Sequence, residues 1–407
     1  MQQATEIHSA GVVGAGTMGA GIAMSFANAG IGVCLIDAAP DALGRASASI
    51  ASTYAAVVKR GRLTADVAER RLTSIRYVAN FAELAAVDVA VEAVFEDLAI
   101  KRDVFARLGA ICRPDALLAT NTSTLDVDAI ARAAPHPERT VGLHFFSPAH
   151  VMKLLEVVRG TGTSPATIAA AVRLGERLGK VPVVVGNGDG FVGNRMLLGY
   201  RREAEFLLLE GSTPQRVDAA LQAFGFAMGV FAVSDLAGID VGWRSKQERL
   251  KRGAAPPFTV TDLPDALVAA GRLGQKSGLG YYRYDLGERI PQSDPGLEPF
   301  VAAERDRLGV ATEIAGDEAI VQRCVYALVN EGAKILEEGV ASRAADIDTI
   351  WVNGYGFPKT RGGPMHYAQE IGLEDVLRTI QRFAQRDPQF WRVSPVLIEA
   401  ARRGTFE

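Results

Sequence analysis

Residues 12–30, VVGAGTMGAGIAMSFANAG, pass from an apolar run into a glycine-punctuated turn and out into a helix of small residues. Gly14, Gly16 and Gly19 keep a GxGxxG spacing, and a second apolar run, VCLID, ends on Asp37. This is the layout of a βαβ unit that cradles a pyrophosphate. The first glycine permits the tight turn, the second admits the phosphates to the backbone, and the third lets helix and strand pack closely. Thr17 and Met18 complete the turn, and the helix N-terminus offers amides and a partial positive charge to an anion. Asp37 stands 18 residues beyond Gly19, where a carboxylate accepts from a ribose and repels a 2′-phosphate. NAD, rather than NADP, is the expected cofactor.

A chain of 407 residues that is 48% hydrophobic exceeds one average domain. Its formal net charge of −3, with no basic block, argues against nucleic acid or an anionic membrane as partner. Apolar stretches are short or broken by charge, and MQQATEIHSAG lacks the order of an export signal. Cys34, Cys112 and Cys324 are far apart and form no CxxC or Cys/His cluster, so neither a disulfide framework nor a metal site is expected. Arginine- and alanine-rich composition and a C-terminal GTFE, which is no peroxisomal address, point to a bacterial, cytoplasmic protein.

Apolar runs at SIRYVA, VDVAVEAV, ALLATNTS, TVGLHFFS, KLLEVVRG and KVPVVVG alternate with helical segments, after a pair of inserted helices over 40–76. That rhythm predicts an α/β, Rossmann-type doubly wound sheet over residues 1–188. Two tandem all-α domains follow, over 189–290 and 316–407, joined by a linker at 291–315. These domains are copies. A shift of 128 residues aligns Arg195 with Arg323, Glu203 with Glu331, Glu210 with Glu338 and Asp218 with Asp346. Asn194 falls opposite Gln322, so the first copy is expected to serve the active site and the second to be structural.

An NAD-dependent alcohol oxidation requires a base, and histidine suits it near neutral pH. His8, His136 and His366 read as surface or capping residues, and His150 sits beside a proline turn. His144 is embedded in the apolar strand TVGLHFF, at the kind of strand end where open α/β sheets build sites. Glu156, twelve residues on, is placed to hold one ring nitrogen while the other takes a proton. The same pair reads equally as a core histidine satisfied by a buried carboxylate. Ser123, in NTST, and Asn194, in GFVGNRM, stand at further element ends as polar anchors or as capping residues.

The motifs GAGTMGAGIA, VEAVFEDLAIK, NTSTLDV, LHFFSPAHVMKLLEVV, GFVGNR and KSGLGYY together closely resemble the L-3-hydroxyacyl-CoA dehydrogenases of fatty-acid β-oxidation. VSDLAGIDVGW and NGYGFPKTRGGPM are similar to the dehydrogenase part of multifunctional β-oxidation enzymes, without the hydratase half. The resemblance implies that His144 is the base, Glu156 its orienting partner, and Ser123 and Asn194 the groups that position the substrate oxygen and the histidine. It implies cofactor contacts at Glu96, Lys101, Ser123 and Ser147, the last at a position where relatives often carry asparagine. Lys59, Arg60 and Arg62 are candidates for the phosphates of an acyl-CoA substrate, or else a solvated helix end.

The resulting expectation is a reversible, NAD-dependent oxidation of (S)-3-hydroxyacyl-CoA to 3-oxoacyl-CoA. A monomer is expected, the second copy taking the place of a partner subunit, with functional coupling to a hydratase and a thiolase. The alternatives are a β-hydroxyacid dehydrogenase acting on small free acids, which would use a lysine as acid/base, and an NADH-binding protein without turnover.

Overall fold

The computed structural model describes residues 7–285 and 287–407. Residues 1–6, part of the segment read for an export signal, lie outside them. The chain divides into two compact units, Met1–Phe191 and Val192–Glu407.

The first unit is an eight-stranded sheet: β1 (Ser9–Val13), β2 (Gly32–Ile36), β3 (Ile75–Val78), β4 (Val89–Glu92), β5 (Leu117–Thr120), β6 (Thr140–Phe145), β7 (Leu154–Arg159) and β8 (Val181–Gly186). Their spatial order is β3-β2-β1-β4-β5-β6-β7-β8, every pairing parallel except β6–β7. The chain runs outward from β1 to β3 and returns to place β4 on the other side of β1. The topological switch, and with it the usual ligand crevice of such sheets, therefore lies at the carboxyl ends of β1 and β4.

Strand residues alternate between two buried faces. Val12, Leu35 and Val91 join helices α1 (Thr17–Asn28), α2 (Pro40–Lys59) and α3 (Ala65–Thr73) in one core. Val13, Ile36 and Ala90 join α4 (Leu98–Ile111) and α5 (Val127–Ala131) in the other. Helix α6 (Pro165–Arg177) adds Ala171 and Leu174 to the first core. Burial on both faces explains why these strands read as nearly continuous apolar runs.

The second unit is helical. Its first copy comprises α7 (Gly193–Leu209), α8 (Pro214–Phe224), α9 (Val230–Ala237), α10 (Ile239–Lys251) and α11 (Leu263–Ala269). The second comprises α13 (Asp317–Glu337), α14 (Ala344–Gly354), α15 (Pro364–Ile371), α16 (Leu373–Arg386) and α17 (Pro395–Arg403). Between them, inside the stretch read as a linker, residues Glu298–Leu308 form α12. Proline and glycine mark only its two ends: Asp294 accepts from Gly296 N before it, and Gly309 closes it at φ 64°. Val301 and Glu304 are buried along its length.

Helices α7 and α13 pack together, and their repeated charges pair crosswise. Arg195 donates to Glu331 at 2.6 Å and to Glu338 at 2.8 Å, while Arg323 donates to Glu203 at 2.6 Å and to Glu210 at 2.5 Å. Each copy thus gives its arginine to the other's glutamates, the reciprocity of an isologous, twofold contact. The offset between copies is not constant. Asp218 accepts from Phe231 N and Ala232 N; the residue that does the same for Met365 N and His366 N is Asp348. The 128-residue offset of the long helices becomes 130 after a turn that is two residues longer, and Asp346 instead pairs with Arg343.

Glu205, on α7, accepts hydrogen bonds from Thr261 Oγ1 and, at 3.2 Å, from Tyr281 Oη. Burial pushes its carboxyl from 4.5 up to about 7, against the hydrogen bonds and the charges of Arg201 and Lys246. The folded carboxyl holds its proton to about pH 7, and the unfolded one releases it near 4.5. Stability from this group therefore falls as pH rises through that window. Glu205→Gln is expected to be more stable than the wild type at pH 8 by about 3 kcal/mol, with the difference closing near pH 5 in denaturant titrations.

Candidate active site

The glycine loop is shaped by three different constraints. Gly14 has φ 105°, and a Cβ there would lie 2.5 Å from Ala93 O; at Gly19 a Cβ would lie 1.7 Å from Gly14 O. At Gly16 a Cβ would meet nothing within 4 Å. Gly14 and Gly19 are thus required by the protein's own packing, whereas Gly16 leaves open space at the head of α1, whose N-terminus carries no side-chain cap. Thr17 and Met18 open that helix. Asp37 follows β2 and accepts from Ala15 N at 2.7 Å and Ala39 N at 2.9 Å, which ties the loop to the strand end where a ribose carboxylate is expected. This cradle of open backbone amides and a carboxylate fits a dinucleotide.

His144 and Glu156 are directly opposite each other across the antiparallel β6–β7 pair. Their side chains meet at 2.6 Å between Nδ1 and Oε2, with His144 5% exposed and Glu156 fully buried. The ring lies 4.3 Å from that of Phe146 and 5.6 Å from that of Phe191, centroid to centroid. Phe191, in GFVGNR, is fully buried and holds φ 50°, a left-handed conformation that a bulky side chain adopts only when its surroundings enforce it. Asn121 Oδ1 accepts from Phe145 N at 2.9 Å, joining the end of β5 to the residue after His144.

At the ends of β4 and β5 lies a charge chain that the sequence showed only in part. Glu92, fully buried, accepts from Lys101 Nζ at 2.7 Å, from Thr120 Oγ1 at 2.7 Å and from Val94 N at 2.8 Å. Lys101, also buried, lies 3.3 Å from Glu96 Oε2. The other Glu96 oxygen accepts from Thr122 Oγ1 at 2.6 Å, Ser123 N at 2.8 Å and Ser123 Oγ at 3.2 Å. Burial would push the Glu96 carboxyl up, but the Lys101 charge and these hydrogen bonds overcome it and hold the carboxyl below its ordinary range. The Glu96 side chain keeps 29% exposure and that of Lys101 1%, so the lysine's charge reaches the strand ends through Glu96. Ser123 is thereby fixed in place by Glu96.

The other expected residues stand elsewhere. Ser147 is exposed in the turn after β6, at a cis Ser147–Pro148 bond. Lys59 and Arg60 are exposed at the carboxyl end of α2, as is Arg62 just beyond it. Asn194 belongs to the second unit, in the first turn of α7, where its Oδ1 accepts from Tyr355 Oη at 2.8 Å. Among the described residues no His/Cys/Asp/Glu group is arranged to hold a metal ion, and no helix is long and apolar enough to cross a membrane.

The glycine geometry separates folding from binding. Gly16→Ala is expected to keep the wild-type thermal midpoint while weakening NADH binding at least about tenfold in fluorescence titrations. Gly19→Ala is expected to lower the midpoint outright, because the added carbon collides with Gly14 O.

Two family models match the chain: the 3-hydroxyacyl-CoA dehydrogenase NAD binding domain over residues 9–188, and the C-terminal domain of the same family over residues 190–284 and again over 320–407. The peroxisomal bifunctional enzyme of Cavia porcellus is 44% identical over 404 residues, covering 96% of this chain and 55% of that protein. The fatty acid oxidation complex subunit alpha of Psychrobacter arcticus is 32% identical, covering 100% of this chain and 56% of that protein. The chain thus spans about half the length of these relatives. A crystal structure of 3-hydroxybutyryl-CoA dehydrogenase from Escherichia coli K12 matches with a TM-score of 0.85 at 29% identity, over 98% of this chain and 99% of that one. The nucleotide of the first unit is NAD. With both models matched and the second matched twice, the chain belongs to the 3-hydroxyacyl-CoA dehydrogenase family.

Proposed function

We propose that this chain catalyses the reversible, NAD-dependent oxidation of (S)-3-hydroxyacyl-CoA thioesters to 3-oxoacyl-CoA. The observation that carries the reading is the buried His144–Glu156 pair beside the strand ends of a dinucleotide-binding sheet. A carboxylate on Nδ1 holds the imidazole in the tautomer whose Nε2 is a free acceptor, and stabilises the cation formed when Nε2 takes a proton. His144 Nε2 removes the hydroxyl proton of the substrate as the C3–O bond becomes a carbonyl. NAD, which the Gly14–Gly19 turn and Asp37 would hold, would supply the acceptor for the hydride from C3. Ser123, whose backbone N–H is held by Glu96 and whose hydroxyl would turn from Glu96 to donate to substrate, and Asn194 are assigned to position the substrate oxygen and the histidine.

The substrate class follows from the family and from the E. coli relative, whose name specifies a hydroxybutyryl-CoA dehydrogenase. Lys59 and Arg60 are assigned to the phosphates of CoA because both are exposed cations at one helix end. The crosswise pairing of α7 with α13 supports a monomer, since the chain already contains both halves of a twofold contact. Three buried thiols suit a reducing compartment, the bacterial cytoplasm. The names of the longer relatives, a bifunctional enzyme and a subunit of a fatty acid oxidation complex, support coupling to other steps of fatty-acid oxidation, for which a hydratase and a thiolase are the proposed partners.

NADH consumption is the test, measured with acetoacetyl-CoA, a longer 3-oxoacyl-CoA and free acetoacetate on a sample whose light-scattering mass is that of one chain. Turnover of the CoA esters alone is expected, with His144→Gln inactive and Glu156→Gln lowered at least about 100-fold in kcat. Turnover of free acetoacetate would instead favour a small-acid dehydrogenase. Binding of NADH without any turnover would favour a silent binder.

A further inference from the structure

The two helical copies exchange their arginines and glutamates symmetrically, yet some contacts between them run in a single direction, and one of these falls at the start of α7. Tyr355 follows α14 in the second copy and donates from its hydroxyl to Asn194 Oδ1 in the first turn of α7 at 2.8 Å. The reciprocal pair does not exist in the sequence. Opposite Asn194 stands Gln322, which reaches back to Glu318 on its own helix at 3.1 Å, and the Phe224-Gly225-Phe226 that matches Tyr355-Gly356-Phe357 brings no hydroxyl. Packing the copies together therefore does not require this bond.

The local structure nevertheless holds Tyr355 firmly. Its ring stacks on Trp351, with centroids 4.8 Å apart and 26° between planes, and Trp351 is itself buried with Nε1 3.1 Å from Met196 Sδ on α7. The hydroxyl end of the ring lies against Gly193. A Cβ there would fall 2.3 Å from Tyr355 Cε2 and 2.4 Å from Oη. The glycine before Asn194 is thus what admits the tyrosine to the helix start. A hydroxyl that donates to Oδ1 fixes which way the amide faces and leaves Nδ2, the donor end, for a further partner.

We infer that the second copy is not merely structural: Tyr355 is a positioning residue of the site, and its hydroxyl orients the Asn194 amide for the reaction. This rests on the reading of Asn194 as a site residue, and the test separates the two. Tyr355→Phe, Asn194→Ala and the double variant are compared in kcat, KM for acetoacetyl-CoA, NADH dissociation constant and thermal midpoint. Tyr355→Phe should lower kcat about tenfold, the loss of one orienting hydrogen bond, with KM, NADH affinity and midpoint unchanged. In the Asn194→Ala background it should cost nothing further, because it acts through the same amide. Wild-type kcat in Tyr355→Phe beside an impaired Asn194→Ala would overturn this inference and leave the proposed function standing. So would an equal loss in both backgrounds, which would mark a packing effect. A wild-type Asn194→Ala would remove both the inference and the role assigned to Asn194.

Discussion

The hydrogen bond between His144 and Glu156 is the interaction on which the proposed chemistry depends, and the sheet is wound to make it. Six of the eight strands form an ordinary parallel array, and β7 and β8 run the other way; the reversal at β6–β7 sets residues 144 and 156 face to face. A fully buried carboxylate costs several kcal/mol unless charged or polar donors meet it, and an imidazole Nδ1–H meets it while leaving Nε2 as an acceptor. Stability and catalysis thus favour the same tautomer. The aromatic rings of Phe146 and Phe191 pack beside the imidazole, restricting its rotation, and Asn121 secures the adjoining backbone.

The helical unit follows a different logic. Two copies of one helical pattern bury α7 against α13, and the arginines reach across to glutamates that would otherwise be charges in a largely apolar interface. Glu203 is fully buried and is met by Arg202 as well as by Arg323, whereas the partners of Arg195 keep more solvent. Duplication within one chain also frees the copies to diverge, which a symmetric dimer cannot do. Asn194 with Tyr355 on one side, and Gln322 with Phe224 on the other, is such a divergence.

Much of the first unit was legible because each feature was written locally. The GxGxxG turn, the apolar strands and the twelve-residue interval between His144 and Glu156 are all short-range patterns whose geometry follows from strand periodicity. The repeat was legible in the charged residues of the long helices, but the shift from Asp346 to Asp348 was not, since two extra residues in a turn leave no mark on helix pattern. Helix α12 was hidden by the proline and glycine at its approach, which describe its entry rather than its body. Lys101 was read as a contact of the cofactor, but the sequence says nothing of Glu92 folding back over it. Tyr355 lies 161 residues from Asn194, and only tertiary packing through Gly193 and Trp351 brings the two together.

The most direct measurement is the nitrogen NMR spectrum of protein labelled with nitrogen-15 histidine, with His144→Gln used to assign the resonance. The neutral form of the His144 ring should carry its proton on Nδ1 and none on Nε2, and Glu156→Gln should abolish that preference. A wild-type ring protonated on Nε2, or a tautomer indifferent to Glu156, would contradict the account.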